Sequence, residues 1–196
     1  MQLTVTGKQV QVGEALRRHV ESSLGSILQK YFKTAIEAHT VFSKDAHLCH
    51  AEMTVHIGRG IVANAGASAG EFYAAFDAAA ERLAKQLRRY KRRLRDHHKS
   101  HEPAEAGEAA TAYVLAPLED EEEASADGAA PAVVAEMRVD LPNLTVGEAV
   151  MRMDLSQAPV LLFRNRSHGE FNLVYRRADG NIGWIDPELD PGRRKR

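Results

Sequence analysis

Cys49 is the only cysteine among 196 residues, so no disulfide can form within the chain. A reducing cytoplasm is the expected location. Structural zinc sites built on several thiolates are excluded with it. No run approaches the roughly 18 uninterrupted apolar residues of a transmembrane helix, so no membrane partner is expected. The opening Met1-Gln2-Leu3-Thr4-Val5-Thr6 lacks the charged-then-apolar layout of a secretory leader. Also missing are a Gly-x-x-x-x-Gly-Lys-Ser/Thr loop, a His-Glu-x-x-His motif and a nucleophile elbow. These absences predict a protein that is not an enzyme and takes no cofactor, metal or small-molecule substrate. His97 and His101, four apart, read as a solvated pair, and Cys49 between His47 and His50 falls on the buried phase of a strand.

One further absence is local. Residues 102–135 hold no Lys or Arg and carry a net charge of −9, against +7 for residues 1–101 and +1 for residues 136–196. The overall charge of −1 therefore hides a partition into four parts. A basic module (1–101) is followed by an acidic Ala/Pro/Glu-rich linker (102–135), a small module (136–188) and a basic tail (189–196). Within the linker Tyr113, Val114, Leu115 and Leu118 are too few for a core, which predicts disorder. It reads as a tether, or, through Glu119–Glu123, as an acidic segment competing for the basic helix described next.

In the first module Leu3 and Val5 alternate with polar neighbours, the period of a half-buried strand. Leu16, Val20, Leu24, Ile27, Leu28 and Tyr31 recur at helical spacing from about Gly13 to Phe32. Ile36 to Phe42, Cys49 to Ile57 and Ile61 to Ala67 alternate as three further strands, with a tight turn at Gly58-Arg59-Gly60. Ser68-Ala-Gly-Glu71 has the spelling of a capping box. Behind it Phe72, Phe76, Ala79, Leu83, Leu87, Tyr90 and Leu94 form one apolar stripe. The fold class predicted is α+β, with a β-α-β-β-β-α order and a four-stranded sheet carrying both helices on one face.

The second helix carries Arg82, Lys85, Arg88, Arg89, Lys91, Arg92, Arg93, Arg95 and Lys99, opposed only by Asp96. Lys85, Arg88, Arg92, Arg95 and Lys99 cluster opposite the apolar stripe. Like charges four residues apart repel, and a polyanion turns that repulsion into attraction while releasing counterions. Membrane binding needs an apolar face free to insert, which this helix buries against the sheet. Nothing resembles a base-reading helix, so RNA recognised through backbone and shape is the favoured partner.

From residue 136 a β-α-β-β-β pattern follows. Met137, Val139 and Leu141 alternate, Thr145-Val-Gly-Glu148 spells a second capping box, and Val146, Ala149, Val150 and Met153 form a helical stripe. Val160, Leu161, Leu162 and Phe163 are apolar on both faces, as are Phe171, Leu173, Val174 and Tyr175; Asp179-Gly180 turns the chain into Ile182 and Trp184. One short helix cannot cover such a sheet, so these ten residues are the expected contact of a two-fold homodimer.

The chain resembles the long-form bacterial ribosome hibernation promoting factors. The likeness rests on Leu3-Thr-Val-Thr-Gly7, Ala15-Leu16-Arg17, Glu71-Phe-Tyr-Ala-Ala-Phe-Asp77, Arg82-Leu-Ala-Lys-Gln-Leu-Arg-Arg-Tyr-Lys91, Asp96-His-His98 and Tyr175-Arg-Arg-Ala-Asp-Gly-Asn-Ile-Gly183. It covers residues 1–98 and about 136–187. The resemblance implies a first module bound to ribosomal RNA of the small subunit, where messenger and transfer RNAs sit. It implies contacts by Arg17, Arg18 and, more loosely, Lys44, besides the second-helix cations. It also implies a second module that self-associates and pairs idle ribosomes, inhibiting translation. Where relatives commonly read Leu-Gly-His-Asp-Phe-Phe, this chain has Ser156-Gln-Ala-Pro-Val-Leu161. The competing reading is a general dimeric double-stranded-RNA-binding regulator that does not target the ribosome.

Overall fold

The computed structural model describes residues 2–32, 36–58, 60–98, 107–117 and 131–187, with backbone alone for 96–98. The run Glu119–Glu123, Lys99, His101 and the Arg193–Arg196 tail lie outside the described residues, as do the side chains of Asp96, His97 and His98.

Strand β1 (Gln2–Lys8) pairs in parallel with β2 (Glu37–Asp45), so helix α1 (Glu14–Tyr31) makes the crossover between them. Strands β3 (Leu48–Gly58) and β4 (Ile61–Ala69) continue antiparallel, giving the order β1-β2-β3-β4. Gly58 and Gly60 both take positive φ in the β3–β4 turn, which the lack of a Cβ permits. Helix α2 (Phe72–His98) then returns beside α1. Alternation decides which sheet face the helices cover. Ala38, Thr40 and Phe42, then Cys49, Ala51, Met53, Val55 and Ile57, then Ala63, Ala65 and Ala67 are all buried. They share one core with Leu16, Val20, Leu24 and Leu28 of α1 and Phe76, Ala79, Leu83, Leu87 and Tyr90 of α2. His19 of α1 and Asp77 of α2 meet at 2.7 Å, which brings the early turns of the two helices level.

The second module holds β7 (Asn143–Leu144), α3 (Val146–Ser156), β8 (Val160–Asn165), β9 (Phe171–Arg176) and β10 (Ile182–Ile185), in sheet order β10-β9-β8-β7. The Thr145 capping box forms: its hydroxyl accepts from the Glu148 amide at 3.3 Å and its own amide donates to Glu148 Oε2 at 2.8 Å. Leu144, Ala149, Met153, Phe163 and Val174 make a small core. Beneath it Asn165 donates to Asn172 Oδ1 at 2.8 Å, and the Trp184 indole donates to the same oxygen at 2.9 Å.

Three expectations need correction. The Ser68–Glu71 capping box is not made, because α2 starts at Phe72 and Ser68 still belongs to β4, where its hydroxyl pairs with His50 Nδ1 at 2.7 Å. The linker is not without structure throughout, because β5 (Glu108–Leu115) pairs antiparallel with β6 (Val133–Leu141). Thr111 and Tyr113 alternate with Ala110, Ala112 and Val114, a strand period too short and Ala-rich to stand out. Strand β6 is consequently not the first strand of the small sheet. Pro142 separates it from β7, which takes that place through parallel pairing with β8.

Candidate nucleic-acid interface

Helix α2 presents three longitudinal zones once Phe76, Leu83, Leu87 and Tyr90 are fixed in the core. Lys85, Arg88, Arg92 and Arg95 form the exposed crest. Arg82, Arg89 and Arg93 lie toward β4, and Lys91 lies on the opposite flank. Internal partners take several of these cations. Arg82 donates to the Gly66 carbonyl of β4 at 2.6 Å, and Arg93 stands 3.9 Å from Asp154 of α3. Lys85 is 2.8 Å from Glu81, and its ammonium holds the Glu81 carboxyl below the usual range by hydrogen bond and charge. Arg88 and Arg92 are exposed and meet no acidic partner among the described residues.

The cations from the rest of the module gather at the other end. Arg17 and Arg18 are exposed on the first turns of α1, with Arg18 3.3 Å from Glu14. Lys44 is exposed where β2 ends. Arg17 and Arg18 immediately precede His19, which meets Asp77 near the start of α2, and the parallel register of β1 with β2 puts Lys44 at the end of the sheet from which β1 leads into α1. The ridge from Arg82 to Arg95 runs away from them, about 20 Å at the helical rise. The two groups together describe an extended track rather than a pocket.

On the second module, strand register sorts the ten apolar candidates into two faces. Leu161, Val174 and Trp184 are cross-strand partners, and Phe163 faces Asn172. Phe163 and Val174 are fully buried under α3, so that face, which includes Ile182, belongs to the module's own core side. Val160 pairs with Tyr175, and Leu162 with Leu173, on the open face with Phe171. Ile185, opposite Leu173, joins them. It was missed in the sequence because Asp186-Pro187 follows it and blurs the alternation. Val160, Leu162 and Ile185 are each more than two-fifths exposed. Gly183 lies under the Tyr175 ring, in space a Cβ would fill.

Sequence reasoning also missed Met151 and Leu155. They lie four apart on the side of α3 away from its recognised stripe, and both are buried in the core of the first module. Nearby, Tyr90 has its phenol pushed above the ordinary range by burial, with Arg152 of α3 opposing. The Cys49 thiol is buried and reaches the Gly70 carbonyl at 3.7 Å. Among the described residues no three His, Cys, Asp or Glu side chains converge as metal ligands, and no helix is long and apolar enough to cross a membrane.

Residues 3–95 match the family described as Sigma 54 modulation protein / S30EA ribosomal protein. Residues 128–183 match the C terminus of the same family. The chain is 43% identical over 192 residues to the ribosome hibernation promotion factor of Bradyrhizobium diazoefficiens (strain USDA 110), spanning 95% of each chain. It is 38% identical over 186 residues to that of Rhizobium meliloti (strain 1021), spanning 95% of this chain and 97% of the relative. Among solved structures, the N-terminal domain of Thermus thermophilus Protein Y is 26% identical, spans 46% of this chain and 99% of that one, and superposes with a TM-score of 0.42. A ribosomal subunit interface protein from Coxiella burnetii is 24% identical, with 46% and 98% coverage and a TM-score of 0.42. With both segments matched in order and two relatives aligned almost end to end, the chain belongs to the Sigma 54 modulation protein / S30EA ribosomal protein family.

Proposed function

We propose that this protein is a cytoplasmic ribosome hibernation factor that silences translation without catalysis. Its first module lodges on the small ribosomal subunit, in the channel for messenger and transfer RNA, through ribosomal RNA phosphates. Its second module joins two copies, so that two idle ribosomes are held together. The observation carrying this reading is the crest of α2, where exposed Arg88 and Arg92 stand one turn apart with no acidic partner among the described residues. Such an arrangement is mildly unfavourable in the free protein and becomes favourable against a polyanion. Two relatives of nearly the same length carry the name ribosome hibernation promotion factor, which supports the ribosome as the source of that polyanion.

The contact set proposed is Arg17, Arg18 and Lys44 at one end of the track and Arg82, Lys85, Arg88, Arg89, Lys91, Arg92, Arg93 and Arg95 along α2. The self-association surface proposed is the open face of the small sheet. Cosedimentation of the full chain with purified small subunits, titrated with salt and with a generic RNA duplex as competitor, tests the reading. Binding to subunits that resists the duplex and falls with salt is expected. Equal preference for any duplex would replace it with a general double-stranded-RNA-binding function.

A further inference from the structure

Helix α3 is apolar on two sides. Ala149 and Met153 fill the small core, while Met151 and Leu155, only 5% and 3% exposed, fill the large one. A helix apolar on both sides has to be covered on both, and here the second cover is β4 and α2 of the first module. Polar contacts fix the seat. Asn64 of β4 donates to the Ser156 carbonyl at 2.8 Å, and Arg152 hydrogen-bonds the buried Tyr90 hydroxyl. Asp154 stands 2.9 Å from Arg176 and 3.9 Å from Arg93 of the basic helix. Between the modules remains a cleft of about 400 Å³, lined by Gln86, Arg89, Arg93, Asp154 and Arg176 among others.

We propose that α3 is an intramolecular latch: docked along the β4-side flank of α2, it sets the Asp154 carboxylate against Arg93 where an RNA phosphate would bind, and RNA binding along that flank requires its release. The inference rests on the RNA-binding reading of α2. The crest, with Lys85, Arg88 and Arg92, stays open in the docked form, so first contact with RNA is possible before release. On the flank Arg89 is exposed as well, but Arg93, held 3.9 Å from Asp154, is freed of its carboxylate only afterwards. The seat consists of two apolar side chains, two neutral-acceptor hydrogen bonds and one long ion pair, a set small enough to open reversibly. The apparent affinity for RNA is then lowered by the fraction of molecules held closed.

Two full-chain variants test this from opposite sides. Leu155→Asp buries an unpaired carboxylate in the seat. Asn64→Asp leaves the second module untouched and sets a carboxylate oxygen against the Ser156 carbonyl, so folding of α3 is not at stake. Hydrogen exchange along β4 reports release, and titration with purified small ribosomal subunits at fixed salt reports affinity. Both variants are expected to exchange faster along β4 and to bind about tenfold tighter if closed molecules outnumber open ones about ten to one. Each adds negative charge, which by itself weakens RNA binding, so a gain cannot be electrostatic. Unchanged exchange in both variants would overturn the docked seat, and faster exchange with equal or weaker binding would overturn the latch alone. If neither the variants nor the parent chain binds subunits at any salt, the RNA reading falls and the latch with it.

Discussion

The Thr40 hydroxyl is fully buried on β2 and has no hydrogen-bond partner among the described residues. Such an orphan costs stability without any visible return, so Thr40→Val is expected to raise the stability of the first module by about 1–2 kcal/mol, read as a higher denaturant midpoint. Asn172 is the opposite case. Its carbonyl oxygen accepts from Asn165 and Trp184, and its amide donates to Asp186 at 2.9 Å. Asn172→Ala strands the buried Asn165 donor and unties the half-exposed Trp184 indole, and is expected to remove about 1–3 kcal/mol. In a module this small that is most of what it has, and fluorescence of Trp184, the only tryptophan, reports the change. Tyr90 gives a pH signature. Its phenol is raised chiefly by burial, so the folded chain keeps it protonated where the unfolded chain, ionising near pH 10, does not. Stability is therefore lost as pH rises above about 10. Tyr90→Phe should flatten that decline, measured as denaturant midpoints at pH 9 and pH 11.

At the scale of elements, α2 buries one side in the core and exposes a row of cations on the other, and the proposed function gives that crest a quantitative expectation. Replacing Lys85, Arg88 and Arg92 with Ala should weaken subunit binding and reduce the slope of log affinity on log salt by roughly 0.7–0.9 for each phosphate no longer neutralised. An unchanged slope would remove these residues from the interface. Both sides of the helix were legible in the sequence, because Phe76, Leu83 and Leu87 repeat at helical period and the exposed cations fall between them. The strands of the large sheet were legible for the same reason, since one face is buried and alternation follows. What alternation cannot show is which partner covers a second apolar side. Met151 and Leu155 are four apart, yet nothing local distinguishes a side covered by β4 from one left to solvent. The ribbon of β5 and β6 escaped for a related reason. Ala110 and Ala112 contribute little apolar contrast, and the pairing of Ala112 with Met137 spans the linker. The Ser68–Glu71 spelling misled because β4 outcompetes it: Ser68 is worth more as a strand residue bonded to His50 than as a cap.

At the scale of the molecule, α3 is sandwiched between the small sheet and the first module, so the open face of that sheet points away from the basic ridge. The cations proposed to hold RNA and the face proposed for self-association are therefore separate surfaces, as a factor that bridges two particles requires. The open face carries Val160, Leu162, Leu173 and Ile185 on adjacent strands, and a two-fold axis through it would bury the same four residues from each copy. Leu162→Asp with Ile185→Asp introduces charge on the two strands that flank β9, at half-exposed positions, so the module folds while the face becomes unfit for a dry contact. The doubly substituted chain is expected to bind small subunits with parental affinity and salt slope, to sediment alone as a monomer, and to leave ribosomes unpaired on a gradient where the parent chain pairs them. A drop in subunit affinity would mean that dimerisation contributes to RNA binding through avidity. Pairing that persists would move the contact off the small sheet. The next surface to test is then the apolar side of the β5–β6 ribbon, where Val114 and Met137 are exposed.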